Sequence, residues 1–142
     1  MAANILVVDD EEGIRKSLSA YLKMEGYTVD TAGDGVEAIE KLKNAKFNII
    51  LLDINMPVRD GLETIQEIKA LDFSIQVIMM TAFSTFDKTM KSLEYGATDY
   101  ILKPFDNLAE ILKLIRISEE KLDRWRKNMS ATIIKQRSSS SQ

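Results

Sequence analysis

Four short apolar runs in this chain each end at a polar residue able to do chemistry. Residues 5–8 stop at Asp9 and Asp10, residues 49–52 at Asp53, residues 77–80 at Thr81, and residues 100–102 at Lys103 and Pro104. Runs of this length suit buried strands, and the segments between them carry helical spacing. Ile14, Leu18, Tyr21 and Leu22 share a helix face that Gly26 terminates. A shorter strand is expected over 27–31, and Gly33-Asp34-Gly35 turns into a helix presenting Val36, Ile39 and Leu42. Residues 47–52 are apolar on both faces, the mark of a central strand. A helix with Leu62, Ile65, Ile68 and Leu71 follows, then a strand over 75–80. Ser84 is placed to cap a helix showing Phe86, Met90 and Leu93, which Gly96 ends. The fifth strand is expected over 99–102, and a long helix starts near Asp106 or Asn107.

Five repeats of strand then helix point to an α/β domain, a parallel sheet covered by helices on both sides. Right-handed crossovers put the C-terminal ends of all the strands on one edge, where open α/β sheets bind ligands. The polar terminators therefore converge for a topological reason. With 142 residues the chain is sized for one domain with a real core. Its net charge of −3 gives no nucleic-acid footprint. The absence of cysteine excludes disulfides and Cys-based zinc, and the absence of histidine removes every Ser-His or Cys-His arrangement. Any histidine chemistry must come from a partner. No run approaches membrane-spanning length and no signal-like N-terminus precedes the first strand, so a soluble, cytoplasmic protein is expected.

Asp9, Asp10 and Asp53 would repel one another if ionised together. Two like charges about 4 Å apart cost on the order of 4 kcal/mol at an effective dielectric near 20. A hard divalent cation such as Mg²⁺ relieves this, and a carboxylate that binds it can still attack phosphorus to give an acyl phosphate. Lys103 is suited to pair with carboxylate or phosphoryl oxygens, the Thr81 hydroxyl to donate a hydrogen bond, and small Ala82 to leave room beside them. Glu11 and Glu12 suit a helix N-terminus and stay off the metal set.

The motifs Val-Val-Asp-Asp-Glu-Glu, Leu-Leu-Asp-Ile-Asn-Met-Pro followed by Asp60-Gly61, Met-Thr-Ala, and Asp-Tyr-Ile-Leu-Lys-Pro-Phe occur in that order. From Asn4 to Glu119 the chain resembles a response-regulator receiver domain of bacterial two-component signalling. The resemblance implies a CheY-like, flavodoxin-like (βα)5 doubly wound fold, five parallel strands in the order 2-1-3-4-5, with an extended C-terminal helix. It implies Asp53 as phosphoacceptor and Asp9 and Asp10 as the seat of Mg²⁺ (or Mn²⁺), joined by Asp53 and the backbone carbonyl of Asn55. Lys103 matches the phosphate-pairing lysine, Thr81 the switch hydroxyl and Tyr100 the switch aromatic, and the bond to Pro104 is expected to be cis. The implied donor is the phosphohistidine of a sensor histidine kinase or a histidine phosphotransfer protein. The only catalysis implied is the domain's own phosphorylation and dephosphorylation. Pro57 and Gly61 read as structural, Pro57 fixing the chain after the nucleophile's strand and Gly61 permitting a turn geometry.

Other functions share these features. A flavodoxin-type nucleotide binder needs an anion-friendly first loop, where this chain has Asp-Asp-Glu-Glu-Gly. A haloacid-dehalogenase-type phosphatase needs its aspartyl nucleophile in an Asp-x-Asp pattern at the first strand, where the aspartates here are adjacent. A protein-interaction module without phosphorylation is the third alternative. After the receiver at 4–119, residues 120–136 are expected as a helical extension or linker and 137–142 as a disordered, serine-rich tail. Leu108, Ile111, Ile115, Ser118, Leu122, Trp125 and Met129 form a heptad seam. Either this seam or the face of the fourth helix, fifth strand and fifth helix is a possible homodimer contact; a helix that merely overruns the domain is the competing reading. No direct nucleic-acid or membrane contact is expected.

Overall fold

The computed structural model describes residues 2–140 other than 57–58, 83–85 and 105–106, and over 133–140 the backbone alone. Pro57, Ser84 and Asp106, which carry roles in the sequence reading, lie outside the described residues. Five strands, β1 (Asn4–Val8), β2 (Thr28–Ala32), β3 (Ile49–Asp53), β4 (Gln76–Thr81) and β5 (Asp99–Leu102), alternate with five helices. These are α1 (Glu12–Met24), α2 (Gly35–Asn44), α3 (Gly61–Leu71), α4 (Phe86–Glu94) and α5 (Leu108–Ser140). All four strand pairings are parallel, in the order β2-β1-β3-β4-β5. The flavodoxin-like expectation is met, down to the central place of β3, every residue of which is buried.

Strand alternation divides the interior into two layers. One face sends Ile5, Val7, Ile49, Leu51, Ile78 and Met80 against Leu18 and Leu22 of α1 and Ile111 and Ile115 of α5. The other sends Leu6, Val8, Ile50, Leu52, Val77 and Met79 against Ala38 and Ile39 of α2 and Ile65 and Ile68 of α3. Caps and stops follow local chemistry. Asp34 and Asp60 accept hydrogen bonds from Glu37 N and Glu63 N at the starts of α2 and α3. Gly26 and Gly96, after α1 and α4, adopt φ of +96° and +107°, which a side chain resists.

Two helices depart from the sequence reading. On α4 the apolar residues Phe86 and Met90 face solvent, and the buried side chains are Thr89 and Ser92. Hydroxyls satisfied inside the protein take the inner face, overriding the apolar period. On α5 the heptad seam packs on the chain's own domain: Ile111, Ile115, Ser118 and Leu122 are buried, and Leu108 and Trp125 pack against the same core. The packed part of α5 therefore passes Glu119 and reaches Trp125. Its backbone is helical to Ser140, since a helix already nucleated extends through serine at small cost. Tyr27 at the head of β2 donates its hydroxyl to Glu119, and burial together with that carboxylate pushes the phenol up to about 12.

Candidate functional site

The C-terminal ends of β1, β3, β4 and β5 meet at one edge. Parallel register places Val8 beside both Ala32 and Leu52, Asp53 beside Met80, and Thr81 beside Leu102. The residues that follow β1 and β5, Asp9 and Lys103, are tied down by Asp9 N to Ala32 O at 3.1 Å and Lys103 N to Thr81 O at 2.7 Å. One carboxylate oxygen from each of Asp9, Asp10 and Asp53 lies within 4.8 Å of the others. Asp9 and Asp53 are buried and Asp10 is exposed, so the cluster opens to water on the Asp10 side.

Asp9 is fully engaged. Its Oδ1 accepts from Glu11 N at 2.9 Å, its Oδ2 from Lys103 Nζ at 2.6 Å, and its backbone carbonyl from Arg15 Nη1 at 2.7 Å. Asp53 is held more loosely, with Asn55 N at 3.2 Å from Oδ1 and Lys103 Nζ at 3.4 Å from Oδ2. Burial, and then the charge of Asp9, push Asp53 up to about 6 against the opposing pull of Lys103. For Lys103 burial disfavours the charge. The hydrogen bond to Asp9 and the nearby carboxylates nevertheless hold the ammonium above its usual value. Three oxygens this close, with a single ammonium among them, form a hard anionic donor set that a divalent cation completes.

Gly61 serves this site differently from the expectation. It opens α3 with no positive φ. Its need for glycine is one of space: an added Cβ would sit 2.7 Å from the Asp53 carbonyl oxygen and from Ile54 Cα. Its N–H also donates to Ile54 O at 2.9 Å. The Lys103-Pro104 bond is cis, as expected. Thr81 is buried at the end of β4, its Oγ1 2.8 Å from Thr89 Oγ1, and Tyr100 on β5 is 42% exposed. Sequence reasoning did not single out Arg15 or Thr89. Arg15 carries a weak signal, a cation one turn into the helix that follows the acidic pair. Thr89 carries none, since a threonine within a helix is ordinary.

The family model described as the response regulator receiver domain matches residues 5–116. The chain belongs to this family. Receivers are signalling modules of two-component systems. This one is 42% identical over 122 residues to the transcriptional regulatory protein ZraR of Klebsiella oxytoca, covering 82% of this chain and 28% of ZraR. It therefore spans well under half the length of that relative. Among solved structures, the chemotaxis protein CheY4 of Vibrio cholerae superposes with a TM-score of 0.77 at 34% identity, covering 83% of this chain and 99% of CheY4. NtrX of Brucella abortus superposes at 0.84 and 30% identity, over 89% of this chain and 29% of NtrX. Among the described residues, no helix of the receiver is long and apolar enough to cross a membrane.

Proposed function

We propose that this receiver takes a phosphoryl group onto Asp53 from a phosphohistidine of a sensor kinase or histidine phosphotransfer protein. The observation that carries the assignment is the division of labour around Lys103. Its ammonium sits 2.6 Å from Asp9 and 3.4 Å from Asp53, so Asp9 is neutralised and Asp53 keeps a buried, basic carboxylate available to an electrophile. An Asp53 Oδ attacks phosphorus, the P–N bond breaks, and its electron pair leaves with the partner's imidazole. Asp9, Asp10, Asp53 and the Asn55 carbonyl would hold Mg²⁺ (or Mn²⁺). When bound, the cation would supply positive charge that offsets the negative charge gathered at the site during transfer. Lys103 is placed to pair with the new phosphoryl group, and the added negative charge draws the Thr81 hydroxyl inward. Tyr100 then turns from its half-exposed position into the space that Thr81 leaves.

The turn of Tyr100 reshapes a face on which Phe86, Met90, Leu102 and Ile117 are also exposed. That face, or the exposed end of α5, is where the phosphorylated receiver meets an output partner or a second copy. The change is a population shift, and phosphate supplies the differential stabilisation it requires. We assign the receiver to the cytoplasm and give its own surface no nucleic-acid role, in keeping with a net charge of −3. Its only catalysis is on itself. Incubation with Mg²⁺ and acetyl phosphate, followed by intact mass, tests the assignment: wild type gains one phosphoryl group and Asp53→Asn gains none. Equal labelling of the two proteins overturns it.

A further inference from the structure

The inner face of α4 is built from hydroxyls. Thr89 is 3% exposed and Ser92 is fully buried, while Phe86 and Met90 on the same helix are 67% and 47% exposed. The Ser92 Oγ donates to the Thr89 carbonyl at 2.6 Å, and the Thr89 Oγ1 meets the Thr81 Oγ1 at 2.8 Å. Thr81 is itself 1% exposed and also donates toward the Ala82 carbonyl at 3.2 Å. The Thr81–Thr89 hydrogen bond thus joins the end of β4, one strand position past the neighbour of Asp53, to the middle of α4 in a place closed to water. A buried hydroxyl pair is costly to separate, because neither oxygen finds a solvent partner.

We infer that Thr89 is a positioning residue for the switch, its hydroxyl holding Thr81 in the resting state and so setting how readily phosphorylation rearranges α4. The inference rests on the reading of Asp53 as phosphoacceptor and Thr81 as its responder. A threonine hydroxyl has one proton. At rest that proton is directed to the Ala82 carbonyl, so in the pair Thr89 donates and the Thr81 Oγ1 accepts. When Thr81 turns its proton to a phosphoryl oxygen and moves toward it, the two oxygens separate and α4 loses this bond to the end of β4. The coupling is therefore local and chemical: the same hydroxyl serves the helix at rest and the phosphate after transfer. Removing the Thr89 hydroxyl while keeping its shape weakens the resting state alone and moves the equilibrium toward the active one. One buried hydrogen bond of about 1 kcal/mol corresponds to about five-fold in that equilibrium.

The test compares wild type with Thr89→Val, which is isosteric without the hydroxyl, and Thr89→Ser, which keeps it. Two readouts are taken: the rate of labelling by acetyl phosphate with Mg²⁺, and amide resonances of α4 and Tyr100 before and after labelling. In unlabelled Thr89→Val these resonances should move along the line from resting to labelled wild type, and labelling should quicken about five-fold. Thr89→Ser should stay with wild type. If Thr89→Val does not fold, Thr89→Ala removes the same hydroxyl with less bulk and carries the same expectation. Resting-state resonances and an unchanged rate in a folded hydroxyl-free variant, or a serine variant that behaves like valine, overturn the inference while Asp53 labelling of wild type stands. Failure of wild type to label at Asp53 overturns the phosphoacceptor reading, and this inference with it.

Discussion

A methyl group added at Gly61 would lie 2.7 Å from the Asp53 carbonyl oxygen and 3.1 Å from Met79 Cε. Backbone cannot yield as a flexible side chain does, so the end of β3 has to shift. Gly61→Ala should therefore destabilise the domain by about 2 kcal/mol in urea unfolding and slow acetyl phosphate labelling about ten-fold. A wild-type labelling rate would show that the nucleophile tolerates the shift. Asp53 itself carries a pH signature. Its carboxyl is pushed from 3.8 in the unfolded chain up to about 6 in the fold, so between those values the native state holds more proton than the unfolded state. Stability from this group is present below about pH 4 and is lost as pH rises through about 6. In Mg²⁺-free buffer Asp53→Asn, which cannot ionise, should be more stable than wild type at pH 7.5. We expect about 1–2 kcal/mol, the full shift being reduced by solvent on the open side of the site. The difference should close toward pH 4, and a gap that stays constant with pH would refute this origin.

At the scale of elements, α5 makes a prediction about where the domain stops. Leu122 is 8% exposed and Trp125 packs on the same core, both beyond Glu119. Ending the chain after Glu119 should lower stability by about 3 kcal/mol, whereas ending it after Lys127 should leave the melting temperature within a degree or two of the full chain. Equal melting of the two shortened chains would show that the added turns contribute nothing. The strands were legible because unbroken apolar runs leave a parallel strand few alternatives, and β5 begins and ends where its sequence says. Helix faces were less so. The period on α4 identified a helix correctly but the wrong side of it, since Thr81 on another strand makes the hydroxyl face the better one to bury. On α5 a heptad spacing describes equally a seam for a second helix and a stripe for the chain's own sheet. Only the position of β1 and α1 decides between them.

For the whole molecule, topology makes the site readable from the sequence. Parallel strands with right-handed crossovers bring Asp9, Asp53, Thr81 and Lys103 to one edge, whatever the details of the loops. The pairings made there were not readable, because the preference of Lys103 for Asp9 over Asp53 is a matter of less than 1 Å. The gathered negative charge also couples folding to cation binding. Mg²⁺ at ten times its dissociation constant should stabilise the receiver by about 1.4 kcal/mol. Asp10→Ala, altering an exposed residue and so sparing the core, should require at least about ten-fold more Mg²⁺ for the same rise in melting temperature. An identical titration would remove Asp10 from the ligand set.

Because α5 continues as one helix from Leu108 to Ser140, its last fifteen residues after Trp125 project about 22 Å from the packed portion. A rod anchored over one part of its length is a lever. A tilt of about 10° where α5 lies on the sheet would carry the far end through roughly 4 Å, by the same helical rise. A displacement too small to matter at the strand ends becomes, at that distance, the width of a side chain.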